Sequence, residues 1–228
     1  MKPLLKDLFS HISLEIEHFF FPPTCSICNQ PNTEFLCKDC LVQLQKSIYP
    51  QGSFTSRFGD LVFCSSRYTK EASLLITSLK YRRNYPAAQW IAKMMYPLFE
   101  TQIPYSHIHD SVLIPVPLSL HKKYSRGYNQ CELIVDILSR MTGLPKDYSS
   151  LQRRVLWTDR DQIGRTRKQR EENLSCLFNW VGGKSYPTIL LIDDICTTGK
   201  TLFECRRAIQ QHLPHCNVHP IVFAHPEA

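Results

Sequence analysis

Two adjacent carboxylates followed by a threonine-rich turn give this sequence its clearest chemistry. Asp193 and Asp194 end an uninterrupted apolar run at residues 189–192, and the turn Thr-Thr-Gly-Lys-Thr follows at residues 197–201. An apolar run without polar alternation is typical of a strand buried on both faces of a parallel sheet. Open α/β sheets bind ligands beyond the carboxyl ends of such strands, so the sequence predicts a ligand site here.

The turn itself has the composition of an anion site. Thr197, Thr198 and Thr201 offer hydroxyl groups, and Gly199 lets the backbone approach a ligand closely. The amides that open the next helix favour a negative charge. Two carboxylates beside a phosphate repel it unless they accept hydrogen bonds from sugar hydroxyls or face a divalent cation. The spacing therefore predicts a sugar phosphate bound with Mg²⁺.

A nucleoside triphosphate loop is the main competing interpretation. Gly199, Lys200 and Thr201 match the end of the G-x-x-x-x-G-K-[ST] motif. The first glycine of that motif would be residue 194, which is Asp194. A carboxylate there would point into the space of the triphosphate, so the motif fails. An ordinary strand, turn and helix start, with a threonine cap and a glycine turn, is the remaining alternative.

A second anion site is predicted after another apolar strand, at residues 111–117. Three basic side chains crowd a glycine turn behind it: Lys122, Lys123 and Arg126. Cationic side chains in this position suit a pyrophosphate bound next to the first phosphate. A solvated basic turn without a ligand is the alternative.

Four cysteines near the start of the chain have the spacing of a metal site. Cys25-x2-Cys28 and Cys37-x2-Cys40 are separated by eight residues. Two such turns supply the four thiolates of a closed, structural zinc site. Disulfides or buried reduced thiols are the alternatives. The other six cysteines lie among apolar neighbours, and we expect them to behave as small core residues.

The length and composition favour one α/β domain with a smaller attachment. The chain has 228 residues and a net charge of +7, which suits anionic ligands or nucleic acid without requiring either. Residues 1–21 carry apolar side chains at helical spacing with interspersed acids, which predicts an amphipathic helix rather than a signal peptide or a membrane span. We therefore expect a cytoplasmic protein. The predicted boundaries are 1–21 for this helix, 22–48 for the zinc module and 61–228 for the α/β domain.

An arginine-rich segment at residues 153–173 has little apolar periodicity. It is predicted to be either an exposed helix or a mobile loop. Arginines around Trp157 also suit contact with a single-stranded nucleic acid.

Taken together, these motifs resemble the ComF family, which is also called competence protein F and is zinc-binding and phosphoribosyltransferase-like. The resemblance covers nearly the whole chain. It rests on the cysteine module, LKYRRN at residues 79–84, RGYNQ at 126–130 and DDICTTGKT at 193–201. The usual RGFNQ has Tyr128 in place of phenylalanine, and one cysteine quartet is present.

The resemblance implies an α/β fold with a type I phosphoribosyltransferase-like parallel sheet flanked by helices. It implies that Asp193 and Asp194 form the catalytic pair and hold the ribose hydroxyls of phosphoribosyl pyrophosphate (PRPP), with Mg²⁺. The PRPP-binding set would be completed by Thr197, Thr198, Gly199, Lys200, Thr201 and Arg126. Segment 153–173 would be the loop that closes over the reaction centre and excludes water.

The same resemblance implies a role in DNA uptake during natural transformation, with single-stranded DNA and other competence proteins as partners. No carboxyl-terminal hood that would select a base is expected after the last predicted strand, at residues 221–224. Two classes of function therefore stay open: an enzyme that transfers phosphoribose to an unknown acceptor, and a nucleotide-sensing or DNA-binding factor that retains the PRPP site.

Overall fold

The computed structural model describes residues 24–32, 34–49, 51–82, 84–104, 108–154 and 177–226. The chain divides into two compact units, Met1–Lys46 and Ser47–Ala228. The predicted helix at residues 1–21 lies outside the described residues, as does most of the arginine-rich segment, from residue 155 onward. Within the described ranges, no helix has both the length and the apolar composition needed to cross a bilayer.

The described part of the first unit, from residue 24 onward, holds the cysteine module and the helix α1 (Lys38–Lys46). An isolated antiparallel bridge joins Thr24 to Pro31. Between them the chain turns through Asn29, which has a φ of 61°, a left-handed conformation that asparagine tolerates better than most residues. Helix α1 buries Cys40 and Leu44.

A five-stranded sheet forms the centre of the second unit, in the order β1-β2-β7-β6-β3. Its strands are β1 (Ser53–Thr55), β2 (Leu61–Arg67), β3 (Ser111–Pro115), β6 (Thr188–Ile195) and β7 (Asn217–His225). Only β1, at the edge, pairs antiparallel in this sheet. A separate antiparallel pair consists of β4 (Leu151–Arg153) and β5 (Phe178–Trp180).

The two apolar runs in the sequence form adjacent strands, β3 and β6. Pro115 pairs with Ile192, and Ile192 pairs with Ile221 of β7 on the other side. All of residues 189–192 are fully buried, as the absence of polar alternation predicts for a strand covered on both faces. The register places the carboxyl ends of β3 and β6 side by side.

Helices flank the sheet, and they supply most of the residues around the predicted site. They are α2 (Lys70–Arg82), α3 (Tyr85–Thr101), α4 (Leu120–Arg126), α5 (Gln130–Thr142) and α6 (Lys200–Gln210). Leu202 and Cys205 of α6 join the core cluster that contains Val112 and Leu191, while α5 packs on α3, β3 and β6. The α/β class predicted from the sequence, a mainly parallel sheet flanked by helices, is confirmed.

The glycines, serines and proline of residues 46–60 predict a connector into the main domain, but the stretch contains a strand and an ordered turn. After β1, the Ser56 hydroxyl accepts hydrogen bonds from the backbone N–H groups of Phe58 and Asp60, each at 3.2 Å. Gly59 closes this turn with a φ of 82°. The turn is part of the second unit, where it packs against the predicted phosphate loop.

Candidate functional site

The carboxylate pair lies at the carboxyl end of β6, inside the strand rather than after it. Asp193 pairs in register with Val222 of β7, and the strand continues to Ile195. The two acids differ in exposure although each offers a carboxylate oxygen within 4.8 Å of the other. Asp194 is buried, with 3% exposure, whereas Asp193 is half-buried.

Asp194 forms an ion pair with Lys80 near the end of α2. The Lys80 side chain is 18% exposed. Burial by itself would lower the pKa of Lys80, but the charge of Asp194 and its contact with the ammonium outweigh burial and raise that pKa, so the ammonium stays charged. In the sequence, the only signal for Lys80 is its position in the basic LKYRRN motif at residues 79–84.

Asp193 accepts two hydrogen bonds on its Oδ1 atom. The donors are the Cys131 thiol at 3.3 Å and the Asp194 backbone N–H at 2.9 Å. Burial, followed by the charge of Asp194, raises the pKa of Asp193 to about 8. Burial and the same two carboxylates hold the pKa of Cys131 well above its usual range. The thiol is therefore a neutral donor to Asp193 and not a nucleophile.

The RGYNQ motif ties α4 and α5 to the sheet and to α2. Gly127 ends α4 in the left-handed region with a φ of 73°. The Tyr128 hydroxyl donates to the backbone carbonyl of Leu79 in α2. Asn129 caps α5 by accepting from the Cys131 N–H, and it donates to the Val116 carbonyl at 3.1 Å. The motif thus fixes the start of α5 directly beside the end of β3.

Arg126 lies close to the carboxylate pair through two neighbouring contacts. Its guanidinium donates to the Gln130 side chain at 3.1 Å and covers the Tyr81 ring at 5.3 Å. Gln130 precedes Cys131, which contacts Asp193, and Tyr81 follows Lys80, which contacts Asp194. Gln130 and Cys131 of α5, and Lys80 and Tyr81 of α2, therefore link the Arg126 guanidinium to the two acids.

The predicted phosphate loop turns from β6 into α6 with its polar side chains facing solvent. Thr197, Thr198, Lys200 and Thr201 are all exposed. Gly199 precedes α6 with a φ of 86°, and a Cβ atom built there would lie 2.6 Å from the Ser56 Cβ. Glycine is required at this position both for the left-handed backbone and for the close approach of Ser56.

The turn at residues 56–60 supports this loop, although no motif in the sequence indicates such a contact. Asp60 is buried and forms an ion pair with Arg206 of α6. Phe58 stacks on Phe203 of α6, with ring centroids 4.9 Å apart. These contacts fasten the first turns of α6, whose amino terminus faces the loop. The composition of the stretch predicts only a connector, because the residues of α6 that order the turn are distant in sequence.

In the first unit, the four predicted metal ligands converge. The sulfur atoms of Cys25, Cys28, Cys37 and Cys40 all lie within 4.8 Å of one another. The Cys28 and Cys37 sulfurs are 3.7 Å apart, whereas a disulfide would require about 2 Å. Sulfurs bound at about 2.3 Å around a tetrahedral zinc ion lie roughly 3.8 Å apart, so the quartet fits such an ion. Four thiols this close can hold a structural metal such as zinc.

The remaining predicted residues are placed as follows. Lys122 and Lys123 lie exposed on α4, in the same short helix as Arg126. Five of the six other cysteines are buried, as expected of small core residues: Cys64, Cys131, Cys196, Cys205 and Cys216. Cys176 lies outside the described residues, and none of the described cysteines forms a disulfide.

Three curated proteins are similar to this chain over about four fifths of its length. No protein-family model matches the chain. Competence protein F of Haemophilus influenzae is 27% identical over 194 residues, 82% of this chain and 84% of the relative. Competence protein ComFC of Bacillus subtilis is 24% identical over 187 residues, 81% and 70% of the two chains. The DNA utilization protein YhgH of Salmonella typhimurium is 27% identical over 188 residues, 79% and 81% of the two chains.

Two solved structures show a weak similarity to this chain. Orotate phosphoribosyltransferase from Aeropyrum pernix gives a TM-score of 0.33 at 12% identity, covering 78% of this chain and 76% of that chain. Leishmania donovani UMP synthase gives a TM-score of 0.35 at 15% identity, covering 81% of this chain but only 30% of that chain. At TM-scores this low, the fold assignment stands on the strand order and flanking helices described above.

Proposed function

The curated relatives support the ComF family for this chain, and from that premise we propose that it binds PRPP with Mg²⁺ in the service of DNA utilisation. The ribose hydroxyls donate hydrogen bonds to the carboxylates at the end of β6. The 5'-phosphate accepts hydrogen bonds from the hydroxyls and amides of residues 197–201. The pyrophosphate lies on the side of Arg126.

One observation carries this proposal: a buried carboxylate pair leads directly into an open, hydroxyl-rich loop at the amino terminus of an eleven-residue helix. The exposed loop side chains leave room for an anion, and the positive end of the α6 dipole attracts it. Two residues separate the acids from the loop. Sugar hydroxyls and a phosphate would therefore be recognised at neighbouring but different places. A ligand that combines a sugar and a phosphate satisfies both parts.

Phosphoribosyl transfer is the reaction that such a site supports. The bond between ribose carbon 1 and the pyrophosphate oxygen breaks, the pyrophosphate keeps the electron pair, and an acceptor nucleophile forms the new bond. Arg126 stabilises the charge that develops on the leaving pyrophosphate. Bound Mg²⁺ supplies further neutralisation of the same phosphates. The carboxylates stabilise the positive charge that develops on the ribose.

Binding is tested by calorimetric titration of the full chain with PRPP and Mg²⁺. In the Asp193→Asn, Asp194→Asn double variant we expect affinity to fall by about tenfold or more for each lost charged hydrogen bond. Asp136→Asn is the matched control, because Asp136 is a partly exposed acid that pairs with Lys146. Equal affinity of the double variant and the control would refute the assignment.

Catalysis is tested separately by pyrophosphate release. The protein is incubated with PRPP, Mg²⁺ and a panel of acceptors that includes nucleobases, nucleosides and single-stranded DNA. Release that depends on one acceptor identifies an enzyme and its substrate class. PRPP binding without release for any acceptor supports a sensor that retains the site.

A second candidate function, binding of single-stranded nucleic acid, is favoured by the surface of α4. Tyr124 is 84% exposed beside Lys122 and Lys123, and Tyr81, which contacts Arg126, is 70% exposed. Exposed aromatic rings among cations stack bases and contact phosphates. Tyr124→Ala should weaken oligonucleotide binding, with a steep dependence on salt, while Tyr148→Ala should not. Salt-insensitive binding, or equal loss in both variants, would contradict this function.

A further inference from the structure

A lysine, Lys80, offsets the electrostatic repulsion within the carboxylate pair. Two neighbouring acids at the end of a buried strand repel each other, and they repel an anionic ligand too. Sugar hydroxyls relieve this only when the ligand is present. In the free protein, the cation beside Asp194 is the Lys80 ammonium.

Lys80 is held in place from both sides along α2. The carbonyl of the preceding residue, Leu79, accepts a hydrogen bond from Tyr128. The ring of the following residue, Tyr81, lies under the Arg126 guanidinium. Because both neighbours are fixed by the RGYNQ motif, the lysine is directed toward Asp194 by the same segment that positions Arg126.

We propose that Lys80 is the positioning residue of the carboxylate pair. Its ammonium is the resident cation beside Asp194, so the pair keeps the orientation needed to accept ribose hydroxyls without binding a metal ion of its own. Any divalent cation then enters with the pyrophosphate. The part of this inference that concerns PRPP rests on the proposed function, whereas the exclusion of a metal ion from the pair does not.

The groups around the carboxylate pair could bind a divalent cation if Lys80 were absent. Ligand atoms of Asp193, Asp194 and Cys131 lie within 4.8 Å of one another, which is close enough to share one ion. Removal of the lysine leaves this group without a cation. Lys80→Met, which keeps most of the side-chain volume, should therefore create a divalent cation site that the native protein lacks.

The first experiment measures Mn²⁺ binding without PRPP, by electron paramagnetic resonance of free Mn²⁺. Mn²⁺ prefers oxygen ligands over the four thiolates of the first unit. We expect Lys80→Met to gain one Mn²⁺ site that is lost again in Lys80→Met, Asp194→Asn. The native chain, Lys80→Arg and the control Lys146→Met should gain none. A Mn²⁺ site at the pair in the native chain, or none in folded Lys80→Met, would overturn the proposal.

The second experiment is a double-mutant cycle on PRPP affinity. If Lys80 acts through Asp194, then Lys80→Met, Asp194→Asn binds PRPP as Asp194→Asn does, within about threefold. A further tenfold loss in the double variant would show that Lys80 acts independently and would overturn the proposal. This comparison does not require the single Lys80→Met variant to fold. Lys80→Arg should retain most of the native affinity.

The two experiments separate failure of this inference from failure of the proposed function. If the native chain does not bind PRPP, the proposed function is wrong, but the Mn²⁺ titration still decides the role of Lys80. Where Lys80→Met does not fold, introduction of Asp194→Asn alongside it removes the unpaired acid and restores a neutral pair. In that case the PRPP cycle gives the deciding result.

Discussion

Gly199→Ala tests whether the phosphate loop depends on its contact with the turn at residues 56–60. Gly199 has a φ of 86°, and in this region an alanine costs about 1–2 kcal/mol. The new Cβ would also lie 2.6 Å from the Ser56 Cβ. Relief of such a clash by backbone movement costs about 1–3 kcal/mol more. The expected loss of unfolding free energy is therefore about 2–5 kcal/mol.

Gly143→Ala provides the matched control for this prediction. Gly143 has a φ of 75°, but no atom lies within 4 Å of the Cβ that would be added. Gly143→Ala should therefore lose only the roughly 1–2 kcal/mol of unfolding free energy that the left-handed backbone costs an alanine. Both variants are compared by urea unfolding, with the midpoint and the slope fitted together.

Ser56→Gly separates the clash from the strained backbone. In the Gly199→Ala background it removes the atom that the new Cβ meets, so part of the lost stability should return even though Ser56→Gly alone destabilises the turn. The two changes should show a coupling energy of about 1–3 kcal/mol. Equal losses for Gly199→Ala and Gly143→Ala, together with no coupling, would refute the reasoning that Ser56 supports the loop.

Three further predictions follow from the rest of the chain. Metal analysis of purified protein should find one zinc ion per chain, and Cys40→Ser should abolish it; native protein without zinc would contradict the assignment. Burial would raise the pKa of Asp147, but hydrogen bonds from Ser150, Ser149 and Tyr186 hold that pKa below its usual range. Its stabilising contribution is therefore complete above pH of about 4 and is lost as pH falls, so thermal unfolding of Asp147→Asn should depend less on pH in the acid range than that of the native protein. Asn129→Ala should cost about 1–2 kcal/mol in urea unfolding because α5 loses its cap; Asn179→Ala, on the exposed side of the small sheet, is the comparison and should cost less.

Much of the candidate site can be predicted from short patterns in the sequence. The run at residues 189–192 identifies a strand covered on both faces because no polar residue interrupts it, and β6 is such a strand. Asp193, Asp194 and the loop after them lie next to each other in sequence, so their grouping needs no long-range contact. The cysteine quartet also follows from spacing, since each C-x2-C turn places two sulfurs on one side of a short loop.

Contacts between residues that are far apart in sequence could not be predicted from sequence patterns. Lys80 reaches Asp194 only because α2 packs beside the end of β6, and a lysine at a helix end usually faces solvent. Ser56 and Asp60 belong to a stretch whose glycines and serines predicted a connector. Its order comes from Gly199, Phe203 and Arg206, which follow more than a hundred residues later.

The adjacent acids, the hydroxyl-rich loop and the four thiols can be predicted from the chain alone, because in each case the chemistry resides in neighbouring residues and short-range geometry. The balance of charge around the acids depends instead on tertiary packing. Packing places the Lys80 ammonium against Asp194 and brings Arg126 near the pair through Tyr81 and Gln130. Electrostatic energy depends on distance and burial in space, and the fold sets both.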